Sequence, residues 1–300
     1  MLSRAELLAR FDAIRQAQLR GYGRAPHKPL FLLYLLGRLQ RRPPGDRAPL
    51  RVTYAEVDEA VSPLIDEFGP PAKDAHRAAR PFFHLDATLW RLDRDNLDAT
   101  HARLRERNAV GELDPAVVVT LAADPALLVE VAWRLLRANF PDTYARPICA
   151  AVGLELGAPP ATDPAAAATR ASRDAQFRAD VLAAYSYTCA FCGYAGLLDA
   201  GTRLNPVGLA AAHVHWHACN GPDHVTNGLA LCDLHHTLFD RGLLTVDPGR
   251  AILVSPRFIP HDDRARALVH DLHLRTPRSA DLAVPDERFA WHRTQVFRAT

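Results

Sequence analysis

Four residues in the C-terminal half of the chain have the types and spacing of metal ligands. Cys189 and Cys192 form a C-x-x-C pair, and Cys232 and His235 form a C-x-x-H pair, with 39 residues between the two pairs. Two such pairs can converge on one tetrahedral Zn²⁺. A C-x-x-C pair also suits redox chemistry, and buried free thiols are a third interpretation. The second pair, followed directly by His236, favours a closed structural zinc site.

Further side chains that can handle protons or cations lie around these pairs. His213 ends an alanine-rich segment, Asn227 lies in an Asn-Gly loop, and His236 follows His235 directly. An imidazole with a pKa of about 6.5 can accept a proton from water, which makes His213 a candidate general base. Adjacent helical residues point about 100° apart, so His235 can face zinc while His236 faces a substrate. Asp240 shares a helix face with His236 and is a candidate metal ligand or partner of that histidine.

The order and spacing of these residues over 173–247 resemble the HNH endonucleases. The resemblance implies a ββα-metal module that hydrolyses phosphodiester bonds. In it, His213 is the general base, and Asn227 fixes the module by hydrogen bonds and helps to orient that base. His236 holds one divalent ion, Mg²⁺ or Mn²⁺, against the scissile phosphate, and Asp240 is the candidate for a further ligand of that ion or a partner of His236.

One position departs from the pattern of many family members. They place an aspartate ligand directly before the general base, whereas this chain has Ala212. The catalytic ion then needs a ligand from elsewhere, and Asp240, His215 and His217 are the candidates. A subset of the family shares the Ala-His pair, so we expect activity. The alternative is a zinc-stabilised module that has no catalytic metal.

The elements that position these residues differ between the two halves of the chain. Capping signals at Ser3, at Thr53 with Glu56 and at Asp124 predict helices in the first half. Leu30–Leu39 is apolar nearly all round and predicts a buried helix. Aromatic and β-prone residues over Pro81–Leu92 predict a short hairpin.

A segment of low complexity separates the two halves. Residues 158–172 are rich in alanine and proline and have no apolar period, which is typical of a linker. We therefore predict a domain over 1–157, a linker over 158–172 and a domain over 173–300 that begins with a helix at Arg173–Tyr185. The predicted fold class is α+β, with a mostly helical N-terminal domain and a C-terminal ββα-metal domain.

Three segments of the first half also carry a resemblance. They are Arg24–Leu30, Pro81–Leu92 and Asn139–Tyr144. In these segments residues 1–157 resemble the sulfur-binding domains fused to HNH nucleases in modification-dependent (type IV, McrA-like) restriction enzymes. The resemblance implies recognition of phosphorothioate DNA, in which sulfur replaces a non-bridging phosphate oxygen. A small apolar pocket favours sulfur, because a phosphate oxygen would lose its water there without compensation.

The resemblance and the residue types assign candidate roles within these segments. The candidates for the lip of the apolar pocket are Phe140, Pro141 and Tyr144. The candidates for positive charge beside the sulfur are His84, where relatives often carry arginine, and Arg91. The candidates for contacts with neighbouring phosphates are Arg24, His27 and Lys28. A helix stop packed on the core is the alternative for Phe140 and Pro141, and a strand-end position is the alternative for His84.

Composition narrows the class of protein without deciding it. The chain is 48% hydrophobic and 23% charged, which is typical of a folded protein, and its net charge of +2 does not by itself indicate nucleic-acid binding. The longest apolar run, Leu30–Leu36, is too short for a membrane span, and no secretory leader opens the chain. Five cysteines do not form a disulfide framework. We therefore expect a cytoplasmic protein with no membrane partner.

Together these patterns predict a restriction endonuclease that reads double-stranded phosphorothioate DNA. A homodimer is expected, because each HNH module cuts one strand. One alternative is an HNH nuclease for methylated or unmodified DNA. The other is a non-catalytic, zinc-dependent DNA-binding protein.

Overall fold

The computed structural model describes residues 1–157, 164–199, 201, 204–279 and 283–300. The chain divides into two compact units, Met1–Ala161 and Thr162–Thr300, which are described separately. The predicted α+β class is confirmed, because helices dominate the first unit and the second combines helices with antiparallel strand pairs. In the part of the chain that is described, no single helix is long and apolar enough to cross a membrane. Two successive helices, Pro115–Ala123 and Pro125–Asn139, pass that test only as a pair, and the chain bends by 114° between them.

The first unit is built mainly from helices, with short strands between them. Its helices are α1 (Arg4–Asp12), α2 (His27–Gln40), α3 (Tyr54–Phe68), α4 (Ala79–His84), α5 (His101–Glu106), α6 (Pro115–Ala123), α7 (Pro125–Asn139) and α8 (Asp142–Val152). Its strands are β1 (Gln18–Leu19), β2 (Gly23–Arg24), β3 (Arg51–Thr53), β4 (Trp90–Leu92) and β5 (Val110–Leu113). Strands β1 and β2 form an antiparallel pair, and the other three form an antiparallel sheet in the order β3-β5-β4.

The predicted capping signals begin the expected helices. Ser3 and Thr53 each form a capping box with the glutamate three residues later, and Asp124 accepts from the backbone N–H of Leu127. Helix α2 is buried along nearly its whole length, as the apolar run over Leu30–Leu39 predicts. It packs against α3, α7 and α8 and forms the centre of the core of this unit.

The predicted hairpin over Pro81–Leu92 is wrong. Its first part is helix α4, and β4 pairs with β5, which lies about twenty residues later in the chain. The aromatic residues here are buried core residues: the Phe82 ring lies 5.5 Å from Trp90, and Phe31 of α2 lies 5.1 Å from the same indole. A Cβ at Gly111 would overlap that indole, so glycine permits the close approach of β5. The aromatic pattern indicated burial rather than a local strand pair.

The second unit combines helices with two-stranded antiparallel pairs. Its helices are α9 (Pro164–Ala184), α10 (Asp233–Asp240), α11 (Asp263–Leu268) and α12 (Asp286–Gln295). The strand pairs are β6 (Leu197–Asp199) with β7 (Leu204–Pro206), β8 (Leu209–His213) with β9 (Gly228–Cys232), and β10 (Leu244–Val246) with β11 (Ile252–Val254). The core lies between α9, the β8–β9 pair and α10, and it includes the fully buried Val181, Leu231 and Phe239.

Helix α9 begins earlier than the sequence predicted. It starts at Pro164 rather than Arg173, whereas residues 158–163 of the predicted linker lie outside the described residues. Alanine fills Ala165–Ala168 and has the highest helix propensity, so low complexity at this place is compatible with a helix. The second half of α9 packs against the β8–β9 pair and supports the catalytic candidates.

Candidate functional site

The four predicted zinc ligands come together at the junction of three elements. Cys189 and Cys192 lie on a turn after α9, Cys232 ends β9, and His235 lies in the first turn of α10. One ligand atom from each lies within 4.8 Å of all the others. The Cys232 Sγ is 3.1 Å from His235 Nδ1, and the Cys192 and Cys232 sulfurs are 3.9 Å apart. Three soft sulfurs and an imidazole in this space are the donor set that tetrahedral Zn²⁺ prefers.

Neighbouring groups orient the imidazole of this Cys3His cluster and favour the thiolate form of Cys189. The His235 Nε2 is 3.0 Å from the carbonyl of Leu268 and donates to it, which directs Nδ1 towards the sulfurs. Hydrogen bonds from the thiols of Cys192 and then Cys232 hold the pKa of Cys189 far below its usual range. The cluster therefore fits a structural metal ion.

His213 lies at the end of β8 in a pocket that fixes its ring. Its Nε2 is 2.8 Å from Oδ1 of Asp223, and the ring stacks on Phe177 of α9 at 4.0 Å. Burial lowers the pKa of His213, while the hydrogen bond and charge of Asp223 oppose that shift. Asp223 also lies 3.2 Å from Nδ1 of His217. The ring of His213 is thus held neutral and oriented at neutral pH.

Asp223 is the residue that the sequence analysis missed. Its signal is the segment Gly221-Pro222-Asp223, which breaks the chain just after the histidine run. The residue before His213 is Ala212, and the carboxylate that contacts His213 comes from this later loop.

Asn227 is fully buried and ties the loop between β8 and β9 together. Its side-chain oxygen accepts from the backbone N–H of His215 at 2.9 Å, and its amide donates to the carbonyls of His215 and Pro222. The next residue must be small, because a Cβ at Gly228 would collide with Val181 of α9. The Asn-Gly sequence therefore sets the position of the loop that carries Asp223.

His236 and Asp240 face each other on α10, as the four-residue spacing predicts. The Asp240 Oδ2 lies 3.1 Å from Nε2 of His236, and Oδ1 accepts from the indole N–H of Trp216 at 3.1 Å. The Asp240 carboxylate is buried, and it is close enough for its charge to raise the pKa of His213. The contacts with Trp216 and His236 favour a positioning partner over a direct metal ligand.

The other candidate ligands for the catalytic ion have partners of their own. His215 Nε2 lies 2.9 Å from the carbonyl of Cys219, and its ring stacks on Trp291 at 4.2 Å. Within the described ranges, two clusters of three or more potential ligands occur, and neither contains His236 or Asp240. Mg²⁺ usually keeps several waters and takes substrate phosphate as a ligand, so a sparse set of protein donors still fits it.

Two of the predicted DNA contacts in the first unit, Lys28 and His84, belong to one basic cluster. We define this cluster as Lys28, Arg77, Arg80, His84 and Arg94. Burial lowers the pKa of His84, and the charges of Lys28, Arg94 and Arg80 lower it further. His84 ends α4 and is exposed, whereas the amine of Lys28 is 2.9 Å from the carboxylate of Asp86.

His27 is the first residue of α2, next to this cluster, and Arg24 ends strand β2 three residues earlier. Burial and the charges of Arg77 and Arg80 lower the pKa of His27 to about 4, so its ring is neutral at neutral pH. It accepts from the Arg77 guanidinium at 3.3 Å rather than adding a charge. Arg24 is exposed and donates to the carbonyl of Ala138 at the end of α7.

Arg91 lies on strand β4 and pairs with a different residue, Asp114. Its side chain is 61% exposed, and its guanidinium lies 2.9 Å from the carboxylate of Asp114, which also contacts Arg10. Arg91 and Arg94 both line an open cavity of about 530 Å³ beside β4 and β5. Arg91 therefore remains available to a ligand at this cavity.

The predicted lip of the sulfur pocket lies largely in the core. Phe140 and Tyr144 are 3% and 1% exposed, and the Tyr144 ring packs edge-on against Phe68 at 5.2 Å. Pro141 is half-buried and caps the start of α8. This matches the helix-stop alternative, because an apolar residue that ends a helix is easily covered by the next one. A contact between these residues and sulfur stays a prediction.

The first unit is mostly helical and carries a basic cluster. The second is a ββα unit with a Cys3His cluster and two histidine–carboxylate pairs. This combination is typical of a DNA-binding domain joined to a nuclease domain. Residues 4–156 match the family described as ScoMcrA-like, DNA sulfur-binding domain, and the chain belongs to this family. Residues 189–247 match the HNH endonuclease family.

Three solved structures are similar to parts of this chain. The sulfur-binding domains of ScoMcrA and SprMcrA, each complexed with phosphorothioated DNA, are 22% and 23% identical, with TM-scores of 0.39 and 0.41. They cover 49% and 51% of this chain and 94% and 95% of their own chains. The modification-dependent TagI restriction endonuclease is 17% identical with a TM-score of 0.29, covering 48% of this chain and 41% of its own. A search of curated proteins finds no match.

Proposed function

We propose that this protein is a modification-dependent restriction endonuclease that recognises phosphorothioate DNA and hydrolyses its phosphodiester bonds. The observation that carries the proposal is the pairing of His213 with Asp223 and of His236 with Asp240 on the ββα unit of a chain whose other unit belongs to a sulfur-binding family. A reader and a hydrolytic site in one chain are what cleavage directed by a modification requires.

The contact between His213 and Asp223 supports the role of general base. The carboxylate accepts from Nε2–H, which leaves Nδ1 as the basic nitrogen that takes a proton from the attacking water. The stack on Phe177 limits rotation of the ring. Asn227 holds the loop that carries Asp223, so its proposed role is to position the base rather than to touch the phosphate.

Two cations complete the proposal. The residues Cys189, Cys192, Cys232 and His235 would hold a structural Zn²⁺ that fixes the start of α10 relative to β9. His236, held by Asp240, would bind a divalent ion, Mg²⁺ or Mn²⁺, which supplies charge stabilisation at the phosphate oxygens when bound.

The basic cluster supports DNA binding by the first unit. Lys28, Arg80 and Arg94 of this cluster, with Arg24 and Arg91, are proposed to contact phosphates, which positions the duplex without reading bases. Selectivity for sulfur is proposed to come from an apolar contact near Pro141, because sulfur is less strongly hydrated than oxygen. Two copies of the chain are proposed to act together, one for each strand. None of the five cysteines is in a disulfide, and we propose a cytoplasmic location.

A binding and cleavage series tests the proposal. Gel-shift titrations of one duplex, with and without a single phosphorothioate and at matched salt, should show tighter binding to the modified duplex. Cleavage should need Mg²⁺ or Mn²⁺ and stop with EDTA. Equal affinity for both duplexes would favour a nuclease for other DNA, and binding without cleavage in either metal would favour a non-catalytic DNA-binding protein.

A further inference from the structure

Three side chains in the first unit converge outside the basic cluster. Asp58 lies on α3, His76 on the connection between α3 and α4, and His101 is the first residue of α5. The Asp58 Oδ2 lies 2.8 Å from Nδ1 of His76 and 3.3 Å from Nδ1 of His101. One ligand atom from each residue lies within 4.8 Å of the other two. Three separate segments thus direct two nitrogens and one oxygen into one small space.

The surroundings hold the carboxylate and leave the histidines accessible. Asp58 is buried, and its second oxygen accepts from the hydroxyl of Ser62 at 2.8 Å. The hydroxyl of Tyr54 lies 3.0 Å from Nδ1 of His101. The side chains of His76 and His101 are 48% and 31% exposed, so an ion can enter from solvent.

The arrangement of the two rings argues for a shared ligand rather than two independent ion pairs. The imidazoles stack face to face, with ring centroids 3.4 Å apart, and both present Nδ1 to the same carboxylate oxygen. Two histidines protonated at that distance would repel each other. A cation between neutral imidazoles and a carboxylate avoids the repulsion and uses the donor set common to zinc and other divalent transition metals.

We propose that Asp58, His76 and His101 form a second binding site for a divalent transition metal, in the DNA-reading unit and distinct from the Cys3His cluster. With three protein ligands the site keeps a position open for water or for Tyr54. His76 precedes Arg77, whose guanidinium donates to the carbonyls of Ile65 and Pro70 and contacts His27. The bound ion would therefore hold the connection that places Arg77 in the basic cluster.

Counting bound metal in the full chain tests this site. The chain is stripped with a chelator, dialysed against micromolar free Zn²⁺ and analysed by mass spectrometry. The double variant His76→Gln and His101→Gln should bind about one zinc fewer per chain than the wild type. The matched control His84→Gln removes a histidine of the same unit outside the site and should lose none. Equal zinc content in the double variant and the wild type would overturn the proposal.

Cobalt gives a second readout that separates this site from the sulfur-containing one. Thiolate-to-cobalt absorption reports only the Cys3His cluster, so it should be the same in the wild type and in the double variant. The variant should lack part of the weaker d–d absorption, which the oxygen–nitrogen site supplies. His76→Gln alone, at the more exposed position, provides a milder variant if the double change unfolds the unit. Identical cobalt spectra for the wild type and a folded variant would also overturn the proposal.

Discussion

The two units of this protein place their functional candidates in opposite ways. In the second unit the zinc ligands, the base and its carboxylate partner Asp223 fall between Cys189 and Asp240, on one turn, one strand pair with its connecting loop, and one helix. In the first unit the candidates are drawn from β2, α2, α4, β4 and the α7–α8 junction, and the contact of Arg24 with Ala138 joins residues more than a hundred positions apart. Local motifs therefore define the nuclease unit, whereas packing of distant segments defines the reader.

The largest effect is expected for Cys192→Ser, which tests whether zinc, and not the apolar core alone, stabilises the second unit. Cys192→Ser removes one thiolate, and structural zinc sites contribute apparent binding free energies of about 10–16 kcal/mol. We expect loss of the bound zinc and of the cooperative unfolding transition of residues 162–300, while binding to phosphorothioate DNA persists. Metal analysis and calorimetry measure both. Cys219→Ser, a buried cysteine outside the cluster, should keep the zinc, and an unchanged Cys192→Ser protein would contradict the prediction.

The next effect separates chemistry from folding inside the second unit. His213→Ala removes the proposed base and should lower the cleavage rate by about 10²–10⁴-fold. Zinc content and DNA affinity should stay at wild-type values, because His213 does not belong to the Cys3His cluster. Single-turnover cleavage measures the rate, with His261→Ala as a control at an exposed histidine. Full activity in His213→Ala would remove this residue from the mechanism.

A change in the first unit distinguishes a core residue from a pocket residue. Phe140→Ala should destabilise residues 1–161 by about 3–5 kcal/mol, because the ring is 3% exposed and truncation leaves a cavity. Thermal or urea unfolding measures the loss. The outcome against this prediction is a protein of normal stability that no longer prefers phosphorothioate DNA, since that would place Phe140 in the sulfur contact.

The smallest effect is a shift in the pH dependence of cleavage. Asp223 raises the pKa of His213 against the larger lowering by burial, with His217 lowering it and Asp240 raising it further. Asp223→Asn should therefore lower the pKa of His213, so the acid limb of the cleavage profile moves to lower pH while the plateau rate falls about tenfold. A pH–rate profile under single-turnover conditions measures both changes. An acid limb that moves to higher pH would show that Asp223 does not stabilise the protonated ring.

The sequence predicted those features whose determinants lie close together in the chain. The spacing of the C-x-x-C and C-x-x-H pairs predicted the cluster of Cys189, Cys192, Cys232 and His235. The capping box at Thr53 predicted the start of α3. The contact of Asp223 with His213 was not predicted. It depends on the loop conformation that the hydrogen bonds of Asn227 hold, not on a fixed spacing from His213. The pattern around Phe82 and Trp90 predicts a hairpin wrongly, because aromatic residues are buried in helices as well as in strands. The cluster of Asp58, His76 and His101 joins segments that no local pattern connects.

Modification-dependent cleavage is tested by incubating a phosphorothioate-modified plasmid and its unmodified twin with the protein, in Mg²⁺ or Mn²⁺ at fixed salt. We predict that the wild-type chain cuts the modified plasmid and leaves the twin intact, and that His213→Ala cuts neither while still binding the modified one. Equal cutting of both plasmids, or no cutting of either by a folded, zinc-loaded protein, would contradict the account.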